Sequence, residues 1–213
     1  MKVKVCGLKS FEEVIGATNA GADYLGFVFY NKSPRNISLE RGERLLSGVP
    51  KKVSSVVLVV DPDDDLLNDI KQFDYNYIQL HGTETIERVV EIKSILKRPI
   101  IKAIGVGDTQ DLKMITPYSS VCDQILIDAK APINATMPGG NGISIDWKIL
   151  EKFQWPCPWI LAGGLHIGNV EHAISITNAD QVDVSSGIEQ IKGKKDLNKI
   201  KAFISAVKGN KIA

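Results

Sequence analysis

The chain has 213 residues, 44% hydrophobic and 24% charged, with 26 Lys+Arg against 25 Asp+Glu and a formal net charge of +1. That composition excludes a disordered chain, and the charge balance leaves no electrostatic footprint for nucleic acid or an anionic membrane. No apolar run, Val56–Val60 included, approaches the roughly 18 residues of a membrane span.

A short β-rich run followed by an amphipathic run recurs along the chain. Val3–Cys6 reads as a strand, and Phe11–Ala20 follows with helical spacing of Phe11, Val14, Ile15 and Ala17. Tyr24–Phe29 is almost continuously apolar, as expected of a strand buried on both faces of a parallel sheet. The pairs then continue as Leu39–Leu46 (helix), Val53–Val60 (strand), a helix from the acidic run Asp61–Asp65 through Ile70, Tyr77–Leu80 (strand) and Glu84–Leu96 (helix), with Thr83 predicted as N-cap. Ile100–Ile104 precedes Asp111–Ile115, and Gln124–Ile127 precedes a long loop and then Trp147–Phe153. Trp159–Leu161 precedes a helix over about 169–176, and Gln181–Val184 precedes Leu197–Val207. The basic runs Lys192–Lys195 and Lys208–Lys211 read as solvated helix ends.

Eight strand–helix pairs without a linker predict one α/β domain over residues 1–213, a (β/α)₈ TIM barrel, with a doubly wound open sheet as the alternative. Two loops stand out by length, Tyr30–Ser38 and Lys130–Asp146. The three widely spaced cysteines, Cys6, Cys122 and Cys157, form no CxxC pair. They predict no disulfide framework, no structural zinc and a reduced, cytoplasmic setting.

In such barrels chemistry sits at the C-terminal ends of the strands. Cys6 ends the first strand and is followed by Gly7; a cysteine there can be nucleophile, metal ligand or general base, or simply buried and inert. Asp128 ends the sixth and is either hydrogen-bonded into the loops or a general acid or base. From strands one and six the two could face each other across the mouth, a base and an acid on either side of a small substrate. Gly163-Gly164 after strand seven and Ser185-Ser186-Gly187 after strand eight suit a phosphate cradle of backbone N–H groups. Gly140 and Gly142 add candidate donors from the sixth loop. Arg35 on the second loop can grip a carboxylate with two parallel hydrogen bonds, or be a solvated surface arginine. His81 is a candidate donor to substrate, or a packed, hydrogen-bonded histidine. There is no metal-ligand spacing, Walker loop or GxGxxG, so neither a metal nor a nucleotide cofactor is predicted.

These pieces, in order and along essentially the whole chain, resemble the phosphoribosylanthranilate isomerase family. The strings that carry the resemblance are Lys4-Val5-Cys6-Gly7, Gly21-Ala22-Asp23 running into Gly26-Phe27-Val28-Phe29, Ser33-Pro34-Arg35, and Gln79-Leu80-His81-Gly82. They continue with Gly139-Gly140-Asn141-Gly142 with Asp146-Trp147, Leu161-Ala162-Gly163-Gly164-Leu165, and Val182-Asp183-Val184-Ser185-Ser186-Gly187-Ile188-Glu189. The resemblance implies a cofactor-free Amadori rearrangement in tryptophan biosynthesis, from N-(5-phosphoribosyl)anthranilate to 1-(2-carboxyphenylamino)-1-deoxyribulose 5-phosphate. It implies Asp128 as general acid on the furanose ring oxygen and Cys6 as general base on the sugar C2–H. Arg35 would hold the anthranilate carboxylate, the glycine loops the phosphate, and His81 and Asp183 would be further substrate contacts. The implied partner is a small phosphosugar, with no nucleic acid and no membrane, and the chain a monomer or homodimer.

The chain departs from the family's pattern at Asn141, where Thr or Ser is usual, at Lys9, where Thr is common, and at Ile167-Gly168-Asn169-Val170, where Pro-Glu-Asn-Val is frequent. Lys9 is expected to point outward; near the thiol it would favour thiolate. The competing readings are a histidine-pathway isomerase barrel, which has an aspartate where Cys6 stands and a substrate with phosphates at both ends, and a non-catalytic phosphosugar-binding barrel, which would need neither Cys6 nor Asp128.

Overall fold

Val3, Val5, Leu25, Phe27, Val57 and Val59 alternate along the first three strands and are buried against helices, while the residues between them turn inward. The computed structural model describes residues 1–131, 139, 142 and 144–209. Its strands are β1 (Lys2–Cys6), β2 (Tyr24–Phe29), β3 (Ser54–Val59), β4 (Tyr77–Leu80), β5 (Ile100–Val106), β6 (Gln124–Ala129), β7 (Trp159–Leu161) and β8 (Gln181–Val184). Neighbours pair in parallel in sequence order and β8 returns to β1, closing the barrel. The open-sheet alternative is thereby excluded.

The interior is filled in layers. Tyr24, Val56, Ile101, Leu126 and Ile160 pack in the lower half, and Cys6, Val28 and Leu58 form a smaller cluster above them. At the lower end Tyr24 Oη donates to Gln181 Oε1 at 2.8 Å, and Gln181 Nε2 to Gln124 Oε1 at 3.2 Å.

Around the barrel lie α1 (Phe11–Ala20), α2 (Leu39–Ser47), α3 (Asp64–Lys71), α4 (Ile86–Leu96), α5 (Ile115–Ser119), α6 (Val170–Thr177) and α7 (Leu197–Lys208). Their starts are locally encoded. Ser10 and Glu13 make a reciprocal capping box on α1, Asp63 caps α3, and Asp196 caps α7. None of the described helices is long and apolar enough to cross a membrane.

Four expectations need correction. Thr85, not Thr83, caps α4, because the Glu84 side chain turns inward to accept the N–H groups of Asp61 and Gly82 and to pair with Lys102. The fifth helix is displaced: Asp111–Met114 is a 3₁₀ turn, and the α-helix proper begins at Ile115. Trp147–Phe153 holds no α-helix but a 3₁₀ turn at Trp147–Ile149, so the sixth strand–helix pair is vestigial. Lys192–Lys195 is no helix end: β9 (Glu189–Ile191) and β10 (Lys194–Lys195) form an antiparallel hairpin, and the Lys195 side chain is fully buried. Of the second basic run, Lys208 pairs with Asp23 at 2.8 Å and 210–211 lie outside the described residues.

Candidate active site

One cavity opens at the C-terminal end of the barrel. Cys6, Arg35, His81, Asp128, Gly163, Gly164, Asp183, Ser185 and Ser186 all line it. Strand order explains the convergence: each residue sits at or just beyond the end of a strand or on the loop that follows, and closure of the barrel turns those ends into a ring.

Cys6 is the last residue of β1 and 4% exposed. Opposite it in register on β2 is Gly26, where a Cβ would lie 2.9 Å from Cys6 Sγ. The thiol occupies the room that the missing side chain leaves. Burial pushes the Cys6 thiol up; the Lys4 ammonium pulls it down, Asp183 pushes it up and Lys195 pulls it down, leaving it above its ordinary value. The positive field therefore comes from two buried lysines rather than from Lys9, whose Nζ donates to Pro34 O at 3.0 Å.

Asp128 lies within β6, one residue further along than the strand was expected to reach. Its Oδ1 accepts the Ala129 N–H at 2.8 Å and its Oδ2 meets His81 Nε2 at 3.2 Å. Gln79 Nε2 lies 2.8 Å from His81 Nδ1, so the imidazole is held between Gln79 and Asp128. Gly139 closes over the pair: a Cβ there would lie 2.6 Å from Asp128 Oδ2 and collide with His81 Nε2.

Arg35 is not a surface arginine. It is 4% exposed, with Nε 2.7 Å from Glu189 Oε1 and Nη2 3.1 Å from Glu189 Oε2. Glu189 also accepts the Gly193 N–H at 3.0 Å and Lys195 Nζ at 2.9 Å. Burial alone would raise the Glu189 carboxyl, but Arg35 and Lys195 hold it below the ordinary range. The side-on edge of the guanidinium is thus occupied, while its Nη1–Nη2 edge keeps two parallel donors for an anion.

The anion cradle faces these groups. Gly163 and Gly164 follow β7, and Ser186 opens a 3₁₀ turn after β8. Among the described residues no protein acceptor receives the N–H of Gly163, Gly164, Ser186 or Gly187, as at the start of any helical turn. Gly187 itself faces away from the cavity, where a Cβ would strike Leu165 O, so its side of the loop packs against the loop after β7. Gly142 approaches Ser186, its ideal Cβ 3.9 Å from Oγ. Gly140 and position 141 lie outside the described residues. The altered start of α6 leaves Asn169 bonding Gly164 O at 3.0 Å, which steadies the cradle from behind.

Reasoning from the sequence passed over Lys4, Gly26, Glu189 and Lys195. Lys4 pairs with Asp183 at 2.8 Å with no exposed side-chain surface. A lysine two residues before a strand-end cysteine was the available signal, since period-2 alternation places both on the inward face.

Comparison with known proteins places this barrel in a family. The family model for N-(5'-phosphoribosyl)anthranilate (PRA) isomerase matches residues 3–206. The isomerase of that name from Cereibacter sphaeroides is 44% identical over 209 residues, 98% of this chain and 99% of that protein. The phosphoribosyl anthranilate isomerase structure from Thermotoga maritima is 36% identical, with a TM-score of 0.88 over 98% of this chain and 99% of that one. A second structure, of the enzyme in complex with reduced 1-(o-carboxyphenylamino)-1-deoxyribulose 5-phosphate, is 34% identical with a TM-score of 0.83 over the same shares. With the match running through every strand of the barrel, the chain belongs to the N-(5'-phosphoribosyl)anthranilate isomerase family.

Proposed function

We propose that the chain converts N-(5'-phosphoribosyl)anthranilate to 1-(2-carboxyphenylamino)-1-deoxyribulose 5-phosphate, a step of tryptophan biosynthesis, without a cofactor. The observation that carries this is the single cavity that joins Cys6 and Asp128 to two separate anion sites, the Arg35 edge and the Gly163-Gly164/Ser186 cradle. The substrate has a carboxylate at one end and a phosphate at the other, with the reacting sugar carbons between.

Asp128, protonated, gives its proton to the furanose ring oxygen. The C1–O bond breaks, and the anilino nitrogen lone pair closes a C=N bond to make the iminium. That cation acidifies the neighbouring C2–H, and the Cys6 thiolate takes the proton. The C–H electrons form the C1=C2 bond of an enolamine, which tautomerises to the ketone by moving a proton from the C2 hydroxyl to C1. Substrate and product are isomers, so the sequence of steps balances without an added reductant or oxidant. His81 and Ala129 hold the Asp128 carboxyl in place, and Asp183 reaches the cavity from β8 as a further contact.

The test is a fluorescence assay with freshly generated substrate, comparing the native protein with Asp128→Asn. Loss of the anthranilate signal with the native protein and not with the variant is expected. Equal turnover by the two would remove Asp128 from the acid role, and binding without turnover by the native protein would leave only a phosphosugar-binding barrel.

A further inference from the structure

Resting on the reading of Cys6 as general base, we infer that Lys4 is a positioning residue for the reaction: its buried ammonium, fixed beneath Cys6 by Asp183, holds the thiolate form of that side chain. The geometry follows from the strand. Lys4 and Cys6 are two residues apart on β1 and therefore share the inward face. Lys4 stands in register with Asp183 of β8, and its Nζ lies 2.8 Å from Asp183 Oδ1. The Lys4 side chain has no exposed surface.

An ammonium has three N–H donors. Among the described residues, one oxygen, Asp183 Oδ1, accepts from Lys4, and Cys6 is the next inward-facing residue of the same strand. Lys195, the other lysine that acts on the thiol, is differently placed: its ammonium donates to three oxygens, Glu189 Oε1, Ser185 O and Ser185 Oγ, at 2.9–3.1 Å. Burial opposes the charge on Lys4, yet Asp183 and Cys6 outweigh it and hold the ammonium above its ordinary value. Lys4 is thus held as a cation.

Cys6 packs with Gly26 and Val28 of β2 and Leu58 of β3, which carry no charge, and Tyr30 packs against that cluster. Arg35 lies beside Gly7, the residue after Cys6, and His81 after β4 and Asp128 of β6 line the same cavity. Directly beneath the thiol the charges are Lys4 and its partner Asp183, and Lys4 is the larger influence of the two. A base that must form inside an apolar layer is disfavoured by desolvation, and a fixed cation below it offsets that penalty without closing the side from which substrate approaches.

The experiment follows alkylation of Cys6 in the whole protein by chloroacetamide as a function of pH, with peptide mass mapping to separate Cys6 from Cys122 and Cys157. Lys4→Met removes the cation, and we expect alkylation of Cys6 to become about tenfold slower at pH below the thiol's titration, with the curve displaced to higher pH. Asp183→Asn removes the opposing carboxylate and should displace the curve to lower pH. A residue that only supported packing would move both variants the same way, and that result, or coincident Lys4→Met and native curves, overturns the inference. Should Lys4→Met fail to fold because Asp183 is left as a lone buried charge, the neutral double variant Lys4→Met/Asp183→Asn replaces it. It should still react more slowly than the native protein, and equal reactivity overturns the inference. Cys6→Ala, assayed for turnover alongside, keeps the two readings apart: turnover surviving in Cys6→Ala would overturn the base assignment whatever the alkylation curves show.

Discussion

Arg35 and Glu189, 154 residues apart in sequence, meet in a buried two-point ion pair, Nε to Oε1 at 2.7 Å and Nη2 to Oε2 at 3.1 Å. The pair fixes the plane of the guanidinium, so its remaining edge presents two donors in one direction. Arg35→Ala should therefore raise KM by about tenfold to a hundredfold, the worth of one or two hydrogen bonds to a charged group, and lower kcat less. An unchanged KM in steady-state kinetics would remove Arg35 from carboxylate binding.

Glu189→Gln keeps the shape of the pair and removes its charge. The sign of its pH effect follows from the depressed carboxyl: the folded protein holds Glu189 ionised more firmly than the unfolded chain does. The stabilisation is complete above the ordinary carboxylate value and is lost as pH falls through the lower, folded-state value. Urea midpoints measured from neutrality down to about pH 4 and below should fall more steeply for the native protein than for Glu189→Gln. Parallel curves would mean that the pair contributes nothing to acid stability.

Cys6→Ala should lower kcat by about a hundredfold to ten-thousandfold, the usual worth of a positioned base, while thermal unfolding stays close to native because one small buried atom is lost. Native kcat in Cys6→Ala would show that another group is the base. The thiol itself is held above its ordinary value, so the pH midpoint for alkylation of Cys6 should lie above that of a free cysteine thiol; a midpoint at or below the free value would show that burial does not hold the thiol up.

Gly139→Ala tests how tightly position 139 packs on Asp128. The added methyl would enter the space of His81 Nε2 and Asp128 Oδ2, forcing Gly139 away or the carboxyl out of line. We expect kcat to fall by about tenfold or more, since small displacements of a reacting group are costly, with little change in the thermal midpoint because position 139 is partly exposed. Native kcat in this variant would show that the space beside His81 and Asp128 is not needed for turnover.

The sequence by itself determined the barrel and most of the residues that line its cavity. Strands buried on both faces must be nearly continuous in apolar residues, so Tyr24–Phe29 could be read to the residue, and strand ends then name Cys6, Asp128 and His81 without coordinates. Where local signals are weak the reading failed. Trp147–Phe153 has helical spacing but only a 3₁₀ turn; Thr83 looks like a cap until Glu84 is drawn inward by Lys102, whose strand neighbour across the β4–β5 pairing is Leu80.

What only the tertiary structure decided is the burial of charge. Lys4, Lys195 and Glu189 look like solvated residues in sequence, because a lone charge is costly to bury and a reader of the chain cannot see its partner. Their partners are supplied by barrel closure: β8 carries Asp183 to Lys4 across 179 residues, and the hairpin that follows brings Glu189 and Lys195 to Arg35. Composition and periodicity encode which residues avoid water. Which charges can share an interior depends on contacts that exist only once the first and last strands have met.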